Sequence, residues 1–543
     1  MRIEALPPGE AEGAILVHGV RAAGRMLKKG RTLGQSDIAA LKEAGVTRVM
    51  VARLEAGDVG EDEAAARIAR ALADKTLRVG AAFAGRANLY AREAGLVLLA
   101  PAAIDAANLV DEAITMATLA PYAHVAAGDM VATVKIIPYA APNAALDSVT
   151  RIAGSAPISV AAFRPMNTAL ITTHLPDRKP GALDNKTKAA LEARLAPLGG
   201  TVIFEKHCPH DAIAVTAALR EAITSGACMV FVMGASAISD RRDVVPAGIV
   251  GAGGVIKHYG MPVDPGNLLL LAELDGKAVI GLPGCARSPK LNGFDFVLQR
   301  LFAQLPVTRE DIMAMGVGGL LKEIPSRMQP RALEETLAVP RAPRIGGVVL
   351  AAGLSSRMGS NKLLAPWHGE PLLRRSVAAV LQSEARPVII VTGHETKRIE
   401  AALADLDVTF VHNPNYAEGL STSLSAGIKA VPANCDGALV LLGDMPELSS
   451  NLLDRMIAAF SPVDSRAICV ASSNGKRGNP VLWARRFFPE IEGLSGDSGA
   501  KHLIGEHEDT VCEIEGDNSV LTDVDTPEAL AALRSRAPAK ALT

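Results

Sequence analysis

A glycine-rich, basic stretch at residues 346–362 has the residue types of a phosphate-binding loop. Its first part, Val348–Ala351, is an apolar and β-branched run that predicts a buried parallel strand. The glycines that follow let backbone N–H groups approach oxyanions, while serine hydroxyls and basic side chains add donors and positive charge. The residues that we expect at a bound phosphate are Gly353, Ser355, Ser356, Arg357, Gly359 and Lys362.

A second apolar run, residues 437–442, predicts another buried strand and delivers Asp444 just beyond its C-terminal end. In open α/β sheets ligands bind outside the carboxyl ends of the strands, so both segments point to one crevice. The purely structural interpretation of Asp444 is a helix cap. A carboxylate at the end of an apolar strand is nevertheless costly without a partner, and we therefore expect Asp444 to bind a metal ion.

Other phosphate-binding patterns do not fit the loop. Its spacing is not G-x-x-x-x-G-K-[ST], which disfavours a Walker-type NTPase, and the G-x-G-x-x-G dinucleotide pattern is absent as well. For a lone glycine-rich loop, a strand-to-helix turn carrying surface basic residues would be the simpler interpretation. The carboxylate predicted at the neighbouring strand end favours a ligand site.

Bulk properties limit the architecture and the partners. A chain of 543 residues predicts roughly three or four folding units at ~150 residues each. The 56 basic and 58 acidic residues nearly balance, so neither nucleic acid nor an anionic membrane is expected as the main partner. Six scattered cysteines without a C-x-x-C pair indicate reduced thiols. With neither a signal peptide nor a long apolar span, we expect a cytoplasmic protein.

The pattern of apolar runs predicts an α/β chain. Residues 1–160 form a mixed region that includes a strand pair around the Gly-Asp turn of residues 125–138. Residues 161–325 alternate strand and helix, which predicts βαβ units and a parallel sheet, with a hairpin at Asp275-Gly276 and a final helix starting at Leu282. Prolines among charged residues predict a linker at 326–344. A second domain then fills residues 345–543.

The C-terminal motifs together resemble a known family. The pattern Leu350-Ala-Ala-Gly-x-Ser-x-Arg-Met-Gly-x-x-Lys362, followed by Gly443-Asp-Met-Pro446, resembles the nucleotidyltransferases that attach CMP or GMP to the molybdenum cofactor. Further matches cover about two hundred residues in the family's order: Val391–His394, Asn413–Ser423, Gly478–Pro480, Gly496–Gly499 and Asp523–Pro527.

This resemblance implies a Rossmann-like doubly wound domain that transfers a nucleotide. Arg357 and Lys362 would grip the triphosphate, and Asp444 would hold Mg²⁺ or Mn²⁺. An ionised acceptor phosphate needs no general base. The remaining nucleotide contacts would come from Leu350, Ala351, Ala352, Ser421 and Ser423, although serines at a helix start also serve as caps.

Other polar residues of this half keep two interpretations. Asp497 is either a second metal or acceptor contact or part of a loop turn, and His394 either contacts the nucleotide or ends a strand. Asp523 and Asp525 are interpreted as caps of the helix that contains Glu528.

The resemblance also bears on the nucleotide. Cytidylyl members tend to have Leu-Ala-Ala-Gly and guanylyl members Leu-Ala-Gly-Gly, so Ala352 favours CTP, with the molybdopterin cofactor as acceptor. The chain has Gly478-Asn-Pro480 where cytidylyl relatives often have Gly-His-Pro. The alternatives are GMP transfer to the same cofactor, CMP transfer to a sugar-alcohol phosphate, or a non-catalytic carrier or chaperone of the cofactor.

Residues 161–325 resemble the molybdopterin-binding domain of the molybdenum-insertion family. Of that family's loop they keep Gly234, Ser236 and Asp243, but Ala235 and Ser239 replace two glycines. Leu282-Pro-Gly-Cys-Ala286 likewise departs from Leu-Pro-Gly-Asn-Pro. The resemblance therefore implies binding or delivery of the pterin, with recipient molybdoenzymes or their chaperones as partners, more than metal insertion.

Overall fold

The computed structural model describes residues 1–176, 182–321, 341–354, 361–494, 496 and 500–535. It shows a mixed α/β chain with several separate hydrophobic cores. None of the helices in these ranges has the length and apolarity needed to cross a bilayer. All six cysteines are free thiols. Of the predicted linker, only residues 341–344 fall within the described ranges, and the boundaries between domains stay a prediction.

The first 53 residues form a small unit with its own core. Strands β1 and β2 flank β5 in an antiparallel sheet, β3 and β4 form a hairpin, and the side chain of Asp37 in α1 accepts from Gly34 N at 3.2 Å. The elements are β1 Arg2–Leu6, β2 Ile15–Leu16, β3 Val20–Ala22, β4 Arg25–Leu27, α1 Gln35–Glu43 and β5 Val49–Arg53.

Residues 58–162 form three small sheets with three helices around another core. The elements are β6 Asp58–Gly60, α2 Glu61–Leu72, β7 Leu77–Val79, β8 Arg86–Ala91, β9 Gly95–Leu98, α3 Pro101–Asn108, β10 Ile114–Thr118, β11 His124–Val125, β12 Met130–Ile136, β13 Ala140–Pro142, α4 Asn143–Ser155 and β14 Ser159–Ala162.

The predicted strand pair around residues 125–138 is wrong. A turn is present, but β11 pairs with β9, whereas β12 pairs with β8 and β10 in a different sheet. A residue outside the turn, Ala91, holds it in place, because Gly128 N donates to Ala91 O at 2.8 Å. The two strands therefore diverge, because each pairs with strands elsewhere in the chain.

Residues 166–313 contain a six-stranded sheet in the order β16-β15-β17-β20-β19-β18, and its first four strands are parallel. The elements are β15 Met166–His174, α5 Ala182–Leu195, β16 Gly200–Pro209, α6 Ala212–Thr224, β17 Met229–Met233, α7 Val244–Gly251, β18 Val255–Tyr259, β19 Leu270–Leu274, β20 Lys277–Gly281, α8 Gly293–Phe302 and α9 Arg309–Met313. The predicted hairpin at Asp275-Gly276 is confirmed.

The helix expected from Leu282 begins later than predicted. Residues 284–287 form only a short 3₁₀ turn, and α8 starts after Asn292. The side chain of Asn292 accepts from Phe294 N at 3.0 Å, and Asp295 Oδ2 accepts from Asn292 N at 2.8 Å. This reciprocal cap satisfies backbone donors at the helix start, which the Leu-Pro-Gly segment cannot do.

The C-terminal domain has a seven-stranded sheet in the order β25-β24-β21-β26-β28-β27-β29. Strands β25, β24, β21 and β26 are parallel, and β28 runs antiparallel between β26 and β27. The strands are β21 Ile345–Ala351, β22 Pro366–Trp367, β23 Glu370–Pro371, β24 Val388–Thr392, β25 Thr409–His412, β26 Gly437–Leu442, β27 Ile468–Ser473, β28 Lys476–Ala484 and β29 Val511–Glu515.

Helices cover both faces of this sheet. A Cβ on Gly347 would lie 2.6 Å from Val380 of α10, while a Cβ on Gly427 of α12 would lie 2.5 Å from Val348. Consecutive strand residues point to opposite faces, so the fold is a Rossmann-like α/β domain. Its helices are α10 Leu372–Gln382, α11 Thr396–Ala402, α12 Leu420–Lys429, α13 Ser450–Ala459, α14 Phe488–Glu492, α15 Lys501–Glu506 and α16 Pro527–Ser535.

Candidate functional site

The tips of two neighbouring parallel strands form the candidate site. Strands β21 and β26 pair in register, with Leu350 opposite Leu442, so the chain leaves both strands at the same edge. Gly443 N donates to Leu350 O at 3.0 Å. A Cβ on Gly443 would lie 2.9 Å from Leu373 and 3.1 Å from Leu350 O. Only a glycine fits this close approach, and it places Asp444 at the strand edge.

Asp444 is almost fully buried there and bonds to the basic end of the glycine-rich stretch. Its side chain is 7% exposed, and its Oδ2 accepts from Lys362 Nζ. The same ammonium donates to Asp525 Oδ1 at 2.5 Å. Within the described part of the chain, Asp444 Oδ1 is buried and has no hydrogen-bond partner. One lysine thus bridges two carboxylates, and Asp444 Oδ1 remains an acceptor without a donor among the described residues.

The charges of this cluster are incompletely balanced. Burial raises the pKa of Asp444, and the opposing attraction of Lys362 does not cancel that effect. Burial lowers the pKa of Lys362, but the carboxylates of Asp444 and Asp525 outweigh it and the net shift is upward. Lys362 therefore favours its charged form, whereas a further positive charge would stabilise the ionised form of the buried Asp444 carboxylate.

Asp525 is the site residue that sequence reasoning missed. The interpretation of Asp525 as a helix cap is wrong, because Thr526 Oγ1 accepts from Ala529 N at 3.2 Å at the start of α16 while Asp525 bonds to Lys362. Val524 N donates to Asp444 O at 3.2 Å, which fixes this loop beside the strand tip. The repeated acid in Asp523-Val-Asp was the available signal.

The other residues predicted for the nucleotide fall into two groups. Leu350, Ala351 and Ala352 are buried at the end of β21, and Ala352 O accepts from His394 N at 3.2 Å. Gly353 is exposed, and a Cβ there would meet no atom within 4 Å. The remaining loop positions lie outside the described residues: Ser355, Ser356, Arg357 and Gly359.

Ser421 and Ser423 are buried in the first turns of α12. Ser421 Oγ donates to Gly496 O at 2.6 Å, and Asn413 Nδ2 donates to Ser423 Oγ at 3.0 Å. Both hydroxyls therefore hold neighbouring loops together in this structure. Asp497, the other candidate in that loop, lies outside the described residues.

A second polar cluster lies at the strand ends of the six-stranded sheet. Ser236 Oγ is 2.9 Å from His210 Nε2, and Gly234 O accepts from Arg287 at 3.1 Å. Asp243 caps α7 by accepting from Val244 N at 2.8 Å. Asp243 thus has a structural role here, while Ser236 faces a histidine that the sequence reasoning did not single out.

Two protein families match parts of the chain. The family described as "MobA-like NTP transferase domain" matches residues 347–511, and a "Domain of unknown function (DUF8806)" matches residues 5–53. The chain is 34% identical over 199 residues to Purine catabolism protein PucB of Bacillus subtilis (strain 168), covering 35% of this chain and 95% of that protein.

Two further likenesses concern the same part of the chain. The Molybdenum cofactor cytidylyltransferase of Escherichia coli (strain K12) is 31% identical over 192 residues, covering 35% of this chain and 95% of the relative. The crystal structure of Rv0371c from Mycobacterium tuberculosis H37Rv is 28% identical, covers 36% of this chain and 100% of its own, and has a TM-score of 0.32.

Proposed function

The C-terminal domain belongs to the MobA-like NTP transferase family, and from this premise we propose that it transfers CMP from CTP to the phosphate of the molybdenum cofactor. The products are the cytosine dinucleotide form of the cofactor and pyrophosphate. Membership supports the reaction class, nucleotidyl transfer. The choice of nucleotide and acceptor is our proposal.

The observation that carries the proposal is the Asp444–Lys362–Asp525 cluster at the strand tips. Nucleotidyl transfer accumulates negative charge on phosphate oxygens, and the site must compensate it. Lys362 supplies a fixed positive charge at the end of the glycine-rich stretch. Asp444 and Asp525 supply carboxylate oxygens, one of them buried and unpartnered.

This donor set fits a hard divalent cation. Carboxylate oxygens are the ligands that Mg²⁺ and Mn²⁺ prefer, and the raised pKa of the buried Asp444 carboxyl shows that its negative charge is incompletely compensated. Asp444 and Asp525 would hold the ion. A bound Mg²⁺ would neutralise charge on the phosphate oxygens.

The chain's own groups account for the rest of the chemistry. Lys362, at present between two carboxylates, would bind a triphosphate oxygen once those carboxylates are otherwise compensated. The exposed backbone around Gly353 offers amides in open space. A general base is unnecessary, because the acceptor phosphate is already ionised. Positioning and charge compensation are then the main contributions of the protein.

The choice of CTP as the nucleotide rests on Ala352. Cytidylyl relatives have Leu-Ala-Ala-Gly at this place, and here the Ala352 methyl packs where a Cβ on Gly393 would come within 2.9 Å of it. This contact describes the packing of the strand end, and the choice of CTP over GTP rests on the resemblance at Ala352.

For the N-terminal half we propose binding of the pterin near Ser236 and His210, and delivery of the product to recipient molybdoenzymes in the cytoplasm. Fusion of the two halves would raise the local concentration of the acceptor at the transferase site.

The test is pyrophosphate release by the full chain with Mg²⁺, the pterin cofactor and each NTP in turn, with the product nucleotide identified by chromatography. We expect release with CTP and its loss in Asp444→Ala. The control is Asp405→Ala, which removes an exposed carboxylate of the same domain that pairs with Arg374. Activity with GTP alone would refute the CTP assignment, and full activity of Asp444→Ala would refute the site.

A further inference from the structure

A cavity of about 400 Å³ lies between residues 58–162 and the C-terminal domain. Ligand pockets typically measure ~300–1,000 Å³, so this space can hold a small molecule. One wall comes from the sheet that contains β8 and β12. The other comes from the segment just before β21 and from the end of α13.

The lining of the cavity is strongly basic. Arg86, Lys135, Arg341 and Arg466 face it, whereas Glu384 is the one acidic residue among the lining residues described. Glu384 is already paired with Arg78. Arg341 is compensated by Asp436, to which its two terminal nitrogens donate at 2.8 and 2.9 Å. On the wall formed by β8 and β12, Lys135 donates to Ala84 O and faces Glu61, so the uncompensated positive charge there comes mainly from Arg86.

The same wall carries flat aromatic faces and fixed hydrogen-bonding groups. Phe83 and Tyr90 line the cavity, although Tyr90 is only 7% exposed and the Arg78 guanidinium lies 4.7 Å from its ring centroid. The Arg466 guanidinium lies 6.0 Å from the centroid of the Phe83 ring. Asn88 Nδ2 donates to Tyr90 Oη at 3.1 Å, and Asn88 Oδ1 accepts from Thr133 at 2.7 Å. Aromatic and guanidinium planes bind planar rings by stacking, and the basic groups bind phosphate.

The cavity is separate from the candidate transferase site. It touches Arg341 to Pro343, just before the first residue of β21, whereas Gly353 and Asp444 follow the opposite ends of β21 and β26. A strand of seven residues spans about 20 Å at ~3.3 Å per residue. A molecule in the cavity is therefore too distant to receive the transferred nucleotide.

We propose that this cavity is a second, non-catalytic binding site for a planar heteroaromatic monophosphate. The ring lies against Phe83 and the exposed edge of Tyr90, and the phosphate is bound by Arg86 with Lys135 beside it. A nucleoside monophosphate and a pterin monophosphate both present this chemistry. The inference does not depend on the proposed function, since it uses none of the transferase residues.

The test is isothermal titration calorimetry of the full chain in EDTA with GMP and, separately, with dihydroneopterin monophosphate. Guanosine and inorganic phosphate test the ring and the phosphate alone. We expect one site for at least one of the two monophosphates, with at least tenfold weaker binding in Arg86→Ala/Lys135→Met and unchanged binding in Lys362→Met. The tighter ligand identifies the source of the monophosphate.

Two controls keep the result interpretable. Arg86 is exposed, so Arg86→Ala alone tests the site without disturbing the fold. Arg242→Ala/Lys257→Met removes two exposed cations elsewhere, whose side chains are 92% and 49% exposed, and should bind as the unmodified chain does. Absence of binding by both monophosphates, or binding lost in Lys362→Met but kept in the cavity variants, would overturn the proposal.

Discussion

At the scale of single residues, one lysine organises the candidate site. Lys362 lies between Asp444 and Asp525, which come from segments far apart in sequence. The buried Asp444 needs positive charge, and its second oxygen has no protein donor in the described ranges. The site can thus accept one more cation at Asp444 Oδ1.

We predict that Asp525→Asn lowers kcat/KM for nucleotidyl transfer by at least tenfold. The amide keeps the size of the side chain but removes a negative charge that positions Lys362 and would hold the metal ion. Steady-state pyrophosphate release across a range of Mg²⁺ concentrations measures the effect, and the Mg²⁺ requirement should rise.

Asp405→Asn is the matched comparison, since its carboxylate is exposed and pairs with Arg374 away from the cluster. Equal kcat/KM in Asp525→Asn and Asp405→Asn would show that Asp525 contributes nothing to transfer.

At the scale of elements, helix α12 holds the loops around the strand edge in place. Its buried Ser421 hydroxyl donates to Gly496 O, and Ser423 accepts from Asn413 at the end of β25. These contacts join three segments that would otherwise end in separate loops. Serine hydroxyls near a helix start therefore order the edge of the site here.

We predict that Ser421→Ala reduces the free energy of unfolding by about 1 kcal/mol, because the hydrogen bond from the buried Ser421 hydroxyl to Gly496 O is lost and only the bond from Ser421 N remains. Urea denaturation of the full chain measures the change at the C-terminal domain. Ser450→Ala, at the first position of α13, is the control. An unchanged midpoint for Ser421→Ala would contradict the structural role of this hydroxyl.

Helix α13 carries a carboxyl group with a raised pKa, that of Asp454. Burial raises the pKa of Asp454 to about 6, although Glu384 N donates to its Oδ1 at 2.7 Å. The folded state then binds more protons than the unfolded state between the ordinary value of 3.8 and about 6. Stability from this group is full at low pH and declines as pH rises through about 6.

We predict that Asp454→Asn removes this decline, which we place on the order of 1 kcal/mol after allowance for solvent screening. The amide oxygen can still accept from Glu384 N. Denaturation midpoints at pH 4.5 and pH 7 should therefore differ less in the variant than in the unmodified chain. A larger difference in the variant would show that Asp454 is ionised throughout this range.

At the scale of the whole molecule, polar contacts join the N-terminal units to the transferase sheet. Lys28 Nζ donates to Val511 O on β29, the edge strand, and Arg78 pairs with Glu384 beside the cavity. The bond from Lys28 supplies a donor to one carbonyl of an edge strand, whose outer backbone groups have no strand partner. The Arg78–Glu384 ion pair is one of the contacts across this junction, so the junction should respond to charge reversal at Glu384.

We predict that Glu384→Arg loosens this junction, because it places two guanidinium groups together. Hydrogen exchange followed by mass spectrometry should show faster exchange in β8 and no change in β21. Lys188→Glu reverses an exposed charge that pairs with Glu205 elsewhere and serves as the comparison. Unchanged exchange in β8 would mean that the ion pair does not hold the junction.

The sequence by itself determined the local elements and the reaction class. Apolar runs specified the buried strands β21 and β26, because strands buried on both faces need such residues whatever their neighbours. The glycine-rich stretch and Gly443-Asp-Met-Pro446 identified the strand edge and the family. These signals are short-range, so the linear pattern contains them fully.

Only the tertiary structure decided which distant residues meet. Lys362 reaches Asp525 across 163 positions of sequence, and no local pattern encodes that contact. The divergence of β11 from β12 and the basic cavity beside Glu384 likewise depend on partners outside each segment. The physical reason is common to all three: the free energy of these contacts arises from burial and charge between elements, which exist only once the chain has packed.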